Sequence, residues 1–103
     1  MYSKIALSIG GSDSGGGAGI QADLRTFMAL KVHGCSAITC ITAQNSLEVN
    51  CVEAVKKNTL ISQIDTLFSD FNINALKTGM LLNERIINDT ASKLKSYSIP
   101  KVI

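Results

Sequence analysis

The chain has 103 residues, of which 46% are apolar and 17% charged, and its formal net charge is +2. This composition is typical of one globular domain or of part of one; it excludes a disordered chain and gives no reason to expect a nucleic-acid partner. Because the sequence also lacks a signal-peptide pattern and any apolar run near the roughly 20 residues that span a bilayer, we expect a cytoplasmic protein with no membrane partner.

The chain opens with a predicted strand, a glycine-rich turn and a helix. Residues 4–9 form a short apolar run, which predicts a buried strand. The turn, residues 10–19, holds six of the eight glycines, and glycine lets backbone N–H groups close on a bound group. A helix is predicted over about residues 18–31, ended by basic side chains such as His33 and by a C′ glycine, Gly34. Its apolar stripe consists of Ile20, Leu24, Phe27 and Met28.

Two strands and a second helix follow. Residues 35–42 are apolar and β-branched without alternation, as expected for a strand covered on both faces, and residues 43–46 end it. Residues 49–55 alternate and predict a shorter strand or arm nearer an edge. Asn58 or Thr59 can cap the next helix. The apolar stripe of that helix consists of Leu60, Ile61, Ile64, Leu67, Phe68 and Phe71.

The last predicted elements are a brief strand, a third helix and the beginning of another strand. Residues 74–78 form the strand, which Gly79 stops, and Asn83 caps the helix. The predicted inner face of this helix consists of Ile86, Ile87, Ala91, Leu94 and Tyr97. After Pro100, residues 101–103 begin the further strand.

Strands that alternate with helices predict an α/β fold with a largely parallel, open sheet and flanking helices. Ligands bind such sheets beyond the carboxyl ends of the strands. Three of those ends are expected to meet in one crevice, at residues 10–11, 44–45 and 79–80. Because an open sheet cut within a strand makes an improbable complete domain, we interpret the chain as an N-terminal part of one, truncated after about four to five strands.

The glycine turn fits neither common phosphate-binding motif well. Residues 10–15 have the spacing of a Walker A loop, but glycines stand at the two following positions, where Lys and Ser or Thr are required. Residues 17–22, Gly-x-Gly-x-x-Ala, match the dinucleotide fingerprint, yet no acidic residue ends the second strand to bind a ribose. A dinucleotide site therefore stays open as a minor alternative.

Two polar residues near the turn are candidates for contacting a ligand. Asp23 lies at the edge of the helix's apolar stripe, from which its carboxylate can lean into the crevice and accept a hydrogen bond from a hydroxyl. The alternative is an exposed acid favoured by the helix dipole. Gln44 carries a donor and an acceptor on one carboxamide, which matches the edge of an amino-heterocycle. The alternative is a strand-end amide that caps loop backbone.

Met80, His33 and Cys40 have simpler explanations. Met80 could cover a flat ring with its thioether, although a Met after a strand is more often part of the core. The position of His33 favours helix capping over catalysis, and Cys40, in the middle of a strand, is expected to be a small buried hydrophobe. Together with Cys35 and Cys51 it makes an odd number without metal-knuckle spacing, so we expect reduced cysteines and no metal site.

Three separated motifs resemble the hydroxymethylpyrimidine/phosphomethylpyrimidine kinase family, in its order and spacing. They are residues 11–24 (GSDSGGGAGIQADL), 42–46 (TAQNS) and 77–81 (KTGML). The resemblance covers essentially the whole chain. It implies a ribokinase-like fold, in which residues 1–103 form the N-terminal, substrate-side part of a single kinase domain.

The resemblance also implies an activity in thiamine biosynthesis, the transfer of the γ-phosphoryl group of Mg-ATP to 4-amino-5-hydroxymethyl-2-methylpyrimidine and then to its monophosphate. It assigns Gln44 to the aminopyrimidine, Asp23 to the hydroxymethyl side, Gly11 and Ala18 to close packing, and Met80 to the ring. The family's catalytic cysteine and ATP site lie in its C-terminal half. We therefore assign no catalytic residue in this chain and expect Mg-ATP to bind mainly outside it, the isolated chain to be inactive, and the full-length protein to be a homo-oligomer, a dimer.

Two alternatives remain open at this point. The related pyridoxal kinases share the fold and act on a flat heterocycle that bears a CH₂OH group. A non-catalytic ligand-binding or regulatory remnant, a different class of protein, is favoured for the isolated chain because the ATP half of the family is missing.

Overall fold

The computed structural model describes residues 4–103, apart from the side chain of Lys101; the first three residues of the predicted 1–103 domain lie outside the described part. Its elements in chain order are β1 (Ile5–Ser12), α1 (Gly19–Ala29), β2 (His33–Gln44), β3 (Val49–Ala54), α2 (Lys57–Asp70), β4 (Ala75–Thr78), α3 (Glu84–Leu94) and β5 (Lys101–Val102). The strands form one open sheet in the order β3-β2-β1-β4-β5. β1, β2, β4 and β5 pair in parallel, whereas β3 is antiparallel at one edge. The predicted α/β fold is confirmed.

β1 occupies the centre of the sheet, and its alternate side chains contact the helices on the two faces of the sheet. Leu7 and Ile9 are fully buried and belong to the hydrophobic core that includes Leu60 and Ile64 of α2. Because side chains of a strand alternate between the faces of the sheet, the intervening Ser8 points to the opposite face, where it contacts α1. The carboxyl end of β1 therefore lies between the helical layers.

The end of α1 differs from the prediction. Lys31, not Gly34, adopts the left-handed conformation after the helix, with φ = 59°. Gly34 lies within β2, paired with Ala6 of β1, and the neighbouring His33 is the first residue of that strand. A Cβ atom at Gly34 would lie 2.8 Å from carbon atoms of Leu24 and Phe27, so this glycine lets α1 lie close on the sheet.

The predicted stripes of the helices also need correction. Met28 of α1 is 68% exposed, as the helix turns it away from the sheet. In α3, Thr90 is buried one turn after Ile86, whereas Ile87 is 49% exposed and Ala91 is exposed. Since residues four apart share a helix face, the row that begins at Ile86 faces the core and the adjacent row does not.

Of the N-caps predicted for α2 and α3, the one for α3 is confirmed and the one for α2 is wrong. α2 begins at Lys57 after the extended residue Lys56, which makes no side-chain cap, so neither Asn58 nor Thr59 has the predicted capping role. α3 has the predicted cap, because the Asn83 side chain accepts a 3.0 Å hydrogen bond from the backbone N–H of Ile86.

Asn83→Ala should lower the free energy of unfolding by about 1 kcal/mol, the usual cost of losing an N-cap acceptor. Urea unfolding followed by circular dichroism measures the change. Asn83→Ser is the matched control, because a serine hydroxyl can accept the same hydrogen bond and should restore most of the stability. Equal stability of the alanine variant and the original chain would contradict the capping role.

Candidate functional site

A cavity of about 360 Å³ opens where the carboxyl ends of three strands meet. It is lined by the end of β1, the glycine turn, the start of α1, the end of β2 and the segment after β4. The expected crevice is therefore present at the predicted edge of the sheet. All five residues predicted to bind substrate line it: Gly11, Ala18, Asp23, Gln44 and Met80.

The glycine turn is organised around Asp13, a residue that the sequence analysis did not single out. Asp13 is only 6% exposed, and its two carboxylate oxygens accept 2.8 Å hydrogen bonds from the N–H groups of Gly15 and Ala18. Its carbonyl accepts a third bond, of 3.0 Å, from the N–H of Gly16. The turn thus directs three N–H groups at Asp13, two at its carboxylate and one at its backbone carbonyl. An aspartate two residues before a glycine is a recognisable turn signal.

Gly19 joins the turn to α1 at very short range from β1. It has φ = 62°, and a Cβ atom there would lie 2.5 Å from the carbonyl oxygen of Gly11. Gly11 itself faces Cys40, whose Sγ atom would lie 3.0 Å from a Cβ atom at position 11. These two glycines keep the wall of the cavity free of side chains, and Cys40 is buried as expected.

Asp23 forms the polar centre of the cavity wall together with two residues that the sequence analysis missed. The ammonium group of Lys77, on β4, lies 3.0 and 2.9 Å from the two carboxylate oxygens. The hydroxyl of Ser8, on β1, donates a 2.7 Å hydrogen bond to Oδ2. A lysine inside a short strand was the sequence signal for this partner.

These contacts set the charge state of Asp23. Its partial burial would raise the pKa of the carboxyl, but the hydrogen bonds from Ser8 and Lys77 and the positive charge of Lys77 outweigh burial and lower it below its ordinary value. The group is therefore an ionised hydrogen-bond acceptor at neutral pH and a poor proton acceptor. Its carboxylate lines the cavity and is paired with Lys77, and the side chain is only 21% exposed, so Asp23 is not the exposed acid of the alternative explanation.

Gln44, the last residue of β2, is fixed by the glycine turn. The hydroxyl of Ser14 accepts a 2.7 Å hydrogen bond from the Gln44 N–H and lies 2.7 Å from the Gln44 carbonyl oxygen. The Thr42 hydroxyl lies 2.7 Å from the carbonyl oxygen of Ser12 and 3.2 Å from Oε1 of Gln44. With a single proton, Thr42 donates to the nearer Ser12 oxygen, which leaves hydrogen-bonding capacity on the carboxamide beside the cavity.

Met80 is not the core residue, and His33 not the helix-capping residue, that their positions in the sequence favour. Met80 is 54% exposed at the cavity and is not a core residue. Its carbonyl accepts a 2.8 Å hydrogen bond from Thr39, and its sulfur lies 3.7 Å from Sγ of Cys40. His33 belongs to β2, and its ring stacks on Phe71 at a centroid distance of 5.4 Å, away from this cavity.

Among residues 4–103, three or more His, Cys, Asp or Glu side chains nowhere gather in a way that could hold a metal ion. No helix within residues 4–103 is both long and apolar enough to cross a membrane.

Comparison with known proteins places this cavity in context. The family model described as phosphomethylpyrimidine kinase matches residues 13–103. The chain is similar over its whole length, with 54% identity, to the hydroxymethylpyrimidine/phosphomethylpyrimidine kinase of Synechococcus elongatus, of which it covers 39%. The chain thus spans about two fifths of the length of this relative.

Two solved structures extend the comparison. The phosphomethylpyrimidine kinase of Clostridium difficile 630 superposes with a TM-score of 0.93 at 44% identity, covering 96% of this chain and 43% of that one. A pyridoxal kinase from Staphylococcus aureus, solved in complex with AMP-PCP and pyridoxal, superposes with a TM-score of 0.84 at 33% identity, covering 96% of this chain and 37% of that one.

Proposed function

This chain belongs to the phosphomethylpyrimidine kinase family, and on that premise we propose that it forms the substrate-side part of a single kinase domain. The complete domain would transfer the γ-phosphoryl group of Mg-ATP to a hydroxymethylpyrimidine and to its phosphomethyl form, in thiamine biosynthesis. The observation that carries the proposal is the convergence of Gly11, Ala18, Asp23, Gln44 and Met80 on one cavity at the carboxyl edge of the sheet.

Each of these residues has a contact chemistry suited to a small aminopyrimidine. The carboxamide of Gln44 can pair with the adjacent ring nitrogen and amino group. Gly11 and Ala18 leave room for a flat ring to approach the wall of the cavity, and the exposed thioether of Met80 can cover that ring. Asp23, ionised and held by Lys77, can accept a hydrogen bond from the hydroxymethyl group and so orient it.

Two contacts of the cavity favour an ATP site elsewhere in the complete protein. The N–H groups of Gly15 and Ala18 already donate to the carboxylate of Asp13, and Lys77 is paired with Asp23. We therefore propose that Mg-ATP binds mainly to parts of the complete protein beyond these residues, and we assign no catalytic residue here. The chemistry that ATP would supply is the phosphoryl group itself.

Gln44→Leu should weaken binding of the hydroxymethylpyrimidine about tenfold to a hundredfold, because an unpaired buried polar group costs about 1–3 kcal/mol. The measurement uses a hybrid kinase, in which residues 1–103 replace the matching segment of the Synechococcus elongatus relative. The matched control changes the ligand and not the protein. An analogue without the amino group should lose much less affinity on the same substitution, and equal losses for both ligands would contradict the assignment of Gln44.

Pyridoxal kinase is the second candidate, because a pyridoxal kinase has nearly the same backbone over this segment. The hybrid kinase separates the two. The proposed function requires a higher kcat/KM for the hydroxymethylpyrimidine than for pyridoxal, and the reverse order would favour the second candidate. A hybrid that binds the pyrimidine without phosphorylating either alcohol would favour a non-catalytic binding protein.

A further inference from the structure

The charged side chains that line the cavity are few. Among the described residues they are Asp13, Asp23 and Lys77. Asp13 is committed to the glycine turn, where both of its oxygens accept backbone hydrogen bonds. The charge that a ligand meets at the opposite wall is therefore set by Asp23 and Lys77.

Lys77 is placed to cancel the charge of Asp23. Its ammonium group contacts both oxygens of the carboxylate, at 3.0 and 2.9 Å, and its side chain is 36% exposed while that of Asp23 is 21% exposed. Ser8 contributes a neutral hydrogen bond from the other side. The pair is close to electrically neutral as long as Lys77 is present, and it becomes a single negative charge if Lys77 is removed.

The names of the relatives pair two ligands of very different charge, a hydroxymethylpyrimidine and a phosphomethylpyrimidine. The hydroxymethyl group is neutral, whereas a phosphate monoester carries a charge of about −1.5 to −2 at neutral pH. A cavity wall with an unpaired carboxylate would accept the first and repel the second, because both the carboxylate and the phosphate are negatively charged. Neutralisation of Asp23 removes this discrimination.

We infer that Lys77 is a specificity-determining residue, which neutralises Asp23 so that one cavity accepts a phosphomethylpyrimidine as well as a hydroxymethylpyrimidine. This inference rests on the proposed function and deepens it. Lys77 acts here through Asp23, by its charge. A direct hydrogen bond from Lys77 to the phosphate is a different role and gives a different result in the double variant below.

Lys77→Met should reduce the kcat/KM of the hybrid kinase for the phosphomethyl ligand about tenfold to a hundredfold more than for the hydroxymethyl ligand, because the methionine keeps an unbranched apolar side chain and removes the charge. The two dissociation constants should diverge in the same direction when each ligand is titrated calorimetrically. Raising the salt concentration from about 0.1 M to about 1 M should shrink the difference, because the Debye length falls from about 10 Å to about 3 Å.

Two further variants test the mechanism. Lys77→Arg keeps the positive charge and should keep the ratio of the two kcat/KM values close to that of the original hybrid. The double variant Asp23→Asn with Lys77→Met removes both charges and should bring the ratio back towards that of the original hybrid. Lys95→Met, which changes an exposed lysine at the end of α3, is the matched control and should not shift the ratio.

The outcomes separate this inference from the proposed function. A hybrid that binds both ligands, with equal losses for both in Lys77→Met, would overturn the inference alone. A double variant that keeps the full discrimination against the phosphomethyl ligand would also overturn it, since that result indicates direct contact between Lys77 and the phosphate. An original hybrid that binds neither ligand would overturn the proposed function and the inference with it.

Discussion

Asp13→Ala should lower the free energy of unfolding by about 3 kcal/mol or more and abolish pyrimidine binding. The substitution removes two hydrogen bonds to a charged group, each contributing about 1.5–3 kcal/mol, and leaves the N–H groups of Gly15 and Ala18 without their acceptor. These N–H groups lie in the turn that forms one wall of the cavity. Loss of their common acceptor should therefore disorder the wall as well as destabilise the fold.

Two comparisons make the Asp13 result specific. Asp13→Asn keeps one carbonyl acceptor in nearly the same shape and should be less damaging than the alanine variant. Asp70→Ala removes an exposed acid at the end of α2, where a negative charge faces the negative end of the helix dipole, so its stability should change by only a few tenths of a kcal/mol. Urea unfolding and pyrimidine titration of the hybrid kinase measure both effects, and an unchanged midpoint and affinity in Asp13→Ala would contradict the organising role.

The elements and their order followed from local patterns in the sequence. β1 was predictable because a continuous apolar run is typical of a strand covered on both faces, and β3 because its alternation indicates an edge. The cap at Asn83 was predictable because a cap involves only neighbouring residues. The location of the cavity followed from the rule that parallel strands present their carboxyl ends at one edge.

Contacts between elements that are distant in the sequence could not be predicted from local patterns. The role of Gly34 depends on Leu24 and Phe27 of α1, whose side chains lie too close for a Cβ atom at position 34. The sequence pattern therefore predicts a helix end at a glycine that in fact allows close packing. The pair of Lys77 with Asp23 joins residues 54 positions apart on β4 and α1. No periodicity within either element indicates that pairing, because it depends on the order of the strands in the sheet.

A polypeptide of residues 1–103 alone should transfer no phosphoryl group, whereas the hybrid kinase should turn over. Phosphoryl transfer depends on positioning and on stabilising the charge around the γ-phosphate. Within the described residues, the N–H groups of Gly15 and Ala18 donate to the carboxylate of Asp13, and the lysine of the cavity is paired with Asp23. On the proposed division of the domain, we expect charge stabilisation for ATP to come from other residues of a complete kinase.

The same polypeptide should bind pyrimidine weakly and self-associate, because its sheet edges expose apolar side chains. Val49 and Val52 of β3 are 54% and 43% exposed, and at the opposite edge Val102 is 56% exposed. Unpaired strand edges with apolar side chains promote association between chains. The test is to measure ADP formation and light scattering on purified residues 1–103, with the hybrid kinase as the active control. Turnover by a monomer of these residues would place the nucleotide site within them and contradict the proposed division of the domain.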